Sequence, residues 1–293
     1  MALRSGQSVN YFPTNKIVIP IDKENIIKNK VVSPKYYDSI VPTIEFTIKG
    51  NALYKNRLMM LDIINTNNWK RPIYFTGGSF GEDDYLWMKD YLELDGMCFK
   101  LIPVKSKNGK GGPNPQEMGL IDSDKMYDIV TKWDWGNSGN PTIYHDPETR
   151  KNSITYRTNL SRLMETLINE GKNDKAEKII ELAMTKMPID EFGFYTFVEP
   201  FAEGYYELGK NDKARNILEQ LRKKCNEELL YFIKLHPSEQ NNLNREIYTA
   251  LVRYRRLIDI AERADDTAFF NTEKEKFNNY NKIFPQYGID MVK

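Results

Sequence analysis

The sequence predicts a small α+β or α/β domain over residues 1–140, followed by an all-α helical-repeat domain over residues 141–293. Three observations carry that division. Ile17, Ile19 and Ile21 alternate, as do Ile44, Phe46 and Ile48, which is the period of half-buried strands. Leu160, Leu163, Met164, Leu167 and Ile168 stand at i, i+3, i+4, i+7 and i+8, a continuous stripe along one face of a helix. The hexapeptide Gly-Lys-Asn-Asp-Lys-Ala occupies residues 171–176 and recurs letter for letter at 209–214, an offset of 38 residues.

Each element of the first part has its own signal. Leu53, Leu58, Leu61 and Ile64, with Met60 beside them, give a helix an apolar face, and the polar run from Asn65 to Asn68 stops it. Arg71 to Thr76 reads as a short apolar strand with Pro72 near its start, where a missing N–H is tolerated. Residues 77–81 form a turn, and Asp83 to Leu94 reads as an amphipathic helix with Leu86, Trp87, Tyr91 and Leu94 inward. Phe99 to Val104 is a further strand, residues 105–116 a polar loop rich in Gly and Pro, and Ser123 to Trp133 a last helix. Strands alternating with helices predict a layered sheet with some parallel pairing.

The second part reads as stacked helix pairs. Gly171 and Gly209 suit the positive φ that ends a helix. Asp174 and Asp212 suit the caps of the helices that follow, and Ala176, Ala183 and Ala214 permit close helix approach. Pro188 ends the first such helix, whereas Asn226 stands where the second copy would carry proline. A third pair, near 243–263 and 273–284, has the apolar periodicity but lacks the turn signature. Gly in the turn, small residues at close contacts and a closing proline make these units resemble tetratricopeptide repeats.

Composition narrows the classes. The net charge of +1, from 42 basic and 41 acidic residues, argues against a dedicated nucleic-acid binder. A mean hydropathy of −0.61, with no apolar run near the roughly 18 residues a membrane span needs, predicts a soluble chain without a transmembrane segment. The N-terminus has no apolar core of signal-peptide length. Cys98 and Cys225 read as two buried free thiols, and His145 and His236 lack partners at zinc-ligand spacing.

No catalytic set emerges, and no cofactor or metal is implied. The turn Gly77-Gly78-Ser79-Phe80-Gly81 lies between strand and helix, where phosphates bind, but it lacks the Lys and Ser/Thr of a P-loop. Glu82, Asp83 and Asp84 after it would repel phosphate. Asp122-Ser123-Asp124 has the Asp-x-Asp form that holds divalent metals in some sugar transferases, yet its place before a helix favours capping. Trp133 and Trp135 suit either a sugar-stacking surface or a domain junction, and their position favours the junction. Tyr195, Tyr205 and Tyr206 complete the candidate binding surface, although their helical setting also suits a core.

Several stretches together resemble a known family. They are Asn68-Trp69-Lys70-Arg71-Pro72-Ile73-Tyr74-Phe75, Asp90 to Gly96, Leu101 to Val104, Asp122 to Tyr127, Trp133 to Gly136, and Tyr156-Arg157 with the repeats that follow. This combination is similar to the C-terminal soluble region of a bacterial multi-span membrane family, of unknown function and described as protein O-mannosyltransferase-like. The resemblance implies an excised extracytoplasmic, periplasmic domain. Its partners would be the membrane-embedded portion of the same polypeptide and an acceptor protein or peptide, with catalytic acids on the absent membrane loops. The function expected is therefore non-catalytic: positioning an acceptor or partner beside a membrane glycosyltransferase. The alternatives are a free-standing tetratricopeptide-like scaffold with no glycosylation role, and an independent enzyme built on Asp122, Asp124 or the 77–84 loop.

Overall fold

A computed structural model describes residues 14–48, 53–76, 86–106 and 118–289. The chain divides into two compact units, Met1–Val130 and Thr131–Lys293.

In the first unit, strand β1 (Lys16–Pro20) leads through α1 (Lys23–Lys28) and a 3-10 turn (Pro34–Ser39) to β2 (Thr43–Thr47). Asp22 starts α1 by accepting the Asn25 N–H. Strands β1 and β2 pair antiparallel, Lys16 opposite Thr47, and bury Ile19, Ile44 and Phe46 on one face. Helix α2 (Lys55–Asn67) follows and ends on Asn68 in the left-handed region. A second sheet then forms from β3 (Tyr74–Thr76), β4 (Leu92–Asp95) and β5 (Cys98–Leu101), in the order β3-β5-β4. Helix α3 (Ser123–Val130) closes the unit over Met126 and Val130.

Two expectations for this unit are corrected. Its ladders are antiparallel, and among the described residues the parallel contact is one isolated bridge, Glu93 to Leu120. The cause is local: Gly96, at φ 69°, opens a two-residue turn that returns the chain from Asp95 directly to Cys98. The helix expected over 83–94 is a 3-10 turn over Leu86–Tyr91 that runs straight into β4. Leu92, Glu93, Leu94 and Asp95 alternate with strand period, and hydrogen bonds exchanged with Leu120 hold that strand. Residues 77–85 and 107–117, which include the 77–81 turn and most of the polar loop, lie outside the described residues. On α2 only Leu61 and Ile64 are buried; Leu58, expected on the inner face, is 48% exposed.

The second unit is helical: α4 (Pro147–Asn169), α5 (Asn173–Lys186), α6 (Ile189–Phe192), α7 (Glu199–Glu207), α8 (Asn211–Lys234), α9 (Pro237–Asn242), α10 (Asn244–Arg263) and α11 (Thr267–Ile283). Helices α4 and α5, α7 and α8, and α10 and α11 pack as successive hairpins. Both copies of the hexapeptide build the same turn. Gly171 (φ 71°) and Gly209 (φ 69°) go left-handed, and the next amides, of Lys172 and Lys210, donate back to Leu167 and Tyr205 at 2.8 Å. The third hairpin repeats that geometry without glycine: Asp265 takes φ 56°, and the Asp266 amide donates to Ala261 at 2.9 Å. The missing signature is thus a missing glycine, not a missing turn.

The caps differ from expectation. Lys172 and Lys210 occupy the N-cap positions without a capping hydrogen bond from the side chain, while Asp174 and Asp212 sit in the first turn, where their charge faces the positive end of the helix. The left-handed glycine has already reversed the chain, so the helix begins before the aspartate. Ala176, Ala183 and Ala214 are fully buried, as close packing requires. Pro188 stops α5, and α8, with Asn226 in the corresponding stretch, runs on to Lys234.

Candidate functional site

The candidate aromatics fall into separate settings. Trp133 and Trp135 lie with ring centroids 5.5 Å apart, and both pack on Tyr156 of α4 at 5.3 Å. The Trp135 indole N–H is buried without a partner among the described residues. Just beyond, the chain passes so close to α5 that a side chain at Gly139 would collide with the Thr185 carbonyl.

Tyr195 is placed by a buried arginine. Arg157 of α4 is fully buried and donates to Gly193 O at 2.5 Å and Met187 O at 2.8 Å, gathering the chain ends that follow α5 and α6. Burial pulls its pKa down to about 10. The turn that it fixes carries Tyr195, whose ring lies 5.9 Å from the Arg253 guanidinium and whose hydroxyl burial pushes up.

Tyr205 and Tyr206 are neighbours in α7 but line different clefts. Tyr205 lines a cleft of about 380 Å³ with Met184, Pro188, Ile189 and Ile217 and, among the polar residues, Lys213, Asn216 and Gln220. Lys213 stands 5.5 Å from the Tyr205 ring and is anchored by Glu177 and Glu181, each at 2.8 Å. Tyr206 lines a second cleft of about 370 Å³ with Glu203, Ile260 and Arg263. Its hydroxyl donates to Asp266 at 2.7 Å, and Arg215 donates to both oxygens of the same carboxylate. Burial opposes the charge on Asp266, but the hydrogen bonds from Arg215, Tyr206 and the Phe269 amide prevail and hold its pKa low.

The sequence reading missed an ionisable cluster in the first unit. On the β3-β5-β4 sheet, Tyr74 and Glu93 both stand opposite Lys100. Lys125 of α3 bridges Glu93 at 2.6 Å and Asp95 at 2.8 Å, Tyr74 donates to Asp95 at 2.9 Å, and Lys100 donates to Val31 O at 2.5 Å. Burial raises the pKa of Glu93 and lowers that of Lys100; burial and Asp95 push Tyr74 up to about 12. Reading residues 83–94 with helical period makes Glu93 a helix residue and leaves Asp95 beyond the helix end, whereas strand period would have put them on one face. Lys125 pairs with two carboxylates and so holds α3 to the sheet, while Glu93 Oε2 and Asp95 Oδ1 are buried without a hydrogen-bond partner among the described residues.

Asp122 is likewise committed. Its carboxylate accepts the Ser33 hydroxyl and the Lys35 ammonium, the latter at 2.8 Å, and receives the Lys125 amide at 3.5 Å. It therefore serves as a cap for α3. Among the described residues no group of three His, Cys, Asp or Glu is arranged to hold a metal ion. Cys98 and Cys225 are free thiols; Cys98 is only half-buried, and burial pushes the Cys225 thiol up to about 12. His145 packs on the Phe192 ring at 4.6 Å, and His236 caps α9 in a capping box with Glu239.

Among the described residues the arrangement offers clefts between helices, aromatic in part, with charged walls. No curated protein and no solved structure matches the chain. Among the described residues no helix is long and apolar enough to cross a membrane. A family model described as TMEM260-associated domain 2 matches residues 1–125, so the first unit is similar to a domain of a TMEM260-like family of membrane proteins.

Proposed function

We propose that the chain is a non-catalytic, extracytoplasmic module of a membrane glycosyltransferase of the protein O-mannosyltransferase-like kind. Its tetratricopeptide-like hairpins hold an acceptor polypeptide on the periplasmic side of a bacterial inner membrane. Bond-making from a lipid-linked sugar takes place in the membrane-embedded portion of the same polypeptide. The observation that carries this reading is the cleft at Tyr205. Met184, Ile189 and Ile217 give it apolar surface, while Asn216 and Gln220 offer amide groups that can pair with an extended backbone. The match of residues 1–125 to a domain of membrane proteins supports the setting.

The test uses the full-length protein in its own membrane. A photoreactive phenylalanine analogue at Gln220 is expected to trap an acceptor polypeptide, and Tyr205→Ala is expected to reduce both the crosslink and acceptor glycosylation. Trapping with unchanged glycosylation would favour the free-standing interaction scaffold instead. Glycosylation that is unaffected, with no trapped polypeptide, would overturn both readings.

A further inference from the structure

Helix α2 is apolar on two sides. Its inner side buries Leu61 and Ile64. Its outer side carries Tyr54 at the N-cap, Leu58, Met59 and Ile63, exposed by 64%, 48%, 57% and 56%. Met59 and Ile63 stand one turn apart on one line of the helix, while Leu58 lies about 100° round it with the exposed Asp62 between, so the face is apolar on either side of one carboxylate. Basic residues bracket that face. Lys55 opens the helix, and Lys70 and Arg71 follow its end, where Asn67 holds the Arg71 carbonyl at 2.7 Å; all three basic side chains are exposed. The Arg57 guanidinium lies 5.3 Å from the Tyr54 ring. Asp62 is the one acid in the helix.

We propose that this outer face of α2 is a docking surface for an anionic lipid bilayer. Three features choose that occupant over a protein groove. Apolar side chains flanked at both ends by long basic ones suit the interface, where the hydrocarbon parts enter and the ammonium and guanidinium groups reach phosphates. Tyr54 has the apolar body and polar tip that favour the headgroup level. The helix also lies inside the segment that matches a domain of membrane proteins. On this geometry α2 lies in the plane of the surface without crossing it, because 13 residues span only about 20 Å. Asp62 faces the same phosphates and weakens the contact. The proposal does not rest on peptide docking by the second unit.

The experiment is co-sedimentation of the whole chain with vesicles of phosphatidylethanolamine and phosphatidylglycerol, against vesicles of phosphatidylcholine. Binding is expected on the anionic vesicles, falling with added salt. The double variant Met59→Glu, Ile63→Glu is expected to lower the partition at least ~tenfold. Neutralising Lys70 or Arg71 to Gln is expected to lower it about fivefold each. Asp62→Asn should raise it. Because the last three changes are at exposed polar positions, they keep the test decisive if the double variant misfolds. Equal binding by all variants, or no preference for anionic vesicles, would overturn the proposal. So would a dimer in sedimentation velocity that the double variant dissolves, since the face would then be a contact between copies of the chain.

Discussion

At the scale of single residues, the helical unit buries charge where the sequence gives no warning. Glu199, in the first turn of α7, is 3% exposed and lies 2.8 Å from Arg256. Burial and the nearby Glu203 disfavour its charge, while Arg256, Arg253 and Arg263 favour it; burial is the largest effect and raises the pKa from 4.5 to about 7. Arg256 is half-exposed, so water screens its pull on the carboxylate, and that is why one close ion pair does not reverse the shift. Between these two pKa values the folded chain holds a proton that the unfolded chain has released. The contribution of Glu199 to stability is therefore full below pH 4.5 and is lost as pH rises through about 7. Urea unfolding at pH 5 and pH 8 should show this loss, of order 3 kcal/mol at most, and Glu199→Gln should flatten it. A pH dependence of the same size in the variant would refute the assignment.

At the scale of elements, the chain reverses direction three times by one backbone device and meets its steric requirement only twice. Gly171 and Gly209 carry no Cβ into the left-handed region, whereas Asp265 does. The cost is softened, because Asp tolerates that region better than most side chains, but it is not abolished. Asp265→Gly should thus stabilise the α10/α11 hairpin by about 0.5–1 kcal/mol, less the entropy that glycine adds to the unfolded chain. A rise in the urea midpoint with unchanged slope would show it, and a fall would show that the Asp265 side chain makes a contact worth more than the strain. The same turns show what was legible. Glycine, apolar stripe and closing proline are local signals, and they correctly placed α4, α5, α7 and α8. The third turn was not legible because its signal is a dihedral angle adopted by an ordinary residue. Strand β4 was not legible for another reason: its order depends on Leu120, 26 residues beyond Leu94, and nothing local records that partnership. The cluster of Glu93, Asp95, Lys100 and Lys125 was hidden with it. The aromatic candidates show the converse limit. Residue type singled out Tyr205 and Tyr206, but only the packing of α7 between other helices assigns them to different clefts.

At the scale of the whole molecule, each unit encloses its own core, and the physical boundary between them can be argued from packing. In the second unit Leu160, Phe201, Leu218, Tyr254 and Phe277 are buried to 1% or less, and the hairpins that bury them all lie between Pro147 and Ile283. Residues 131–293 are therefore expected to fold alone as a cooperative helical unit. A fragment beginning at residue 141 would retain every helix yet lose Trp133 and Trp135 from the Tyr156 ring, the close contact of Gly139 with Thr185, and the Ser138 carbonyl that His145 meets at 3.0 Å. Both tryptophans are only part-buried, so each contributes less than a fully buried aromatic; together they are worth about 2–4 kcal/mol. Both fragments should give helical circular dichroism, with the shorter one unfolding at lower urea by that margin. Equal midpoints would mean that the tryptophan pair lies on the fold without bracing it, which would free the same two rings for the sugar-stacking role that their chemistry also permits.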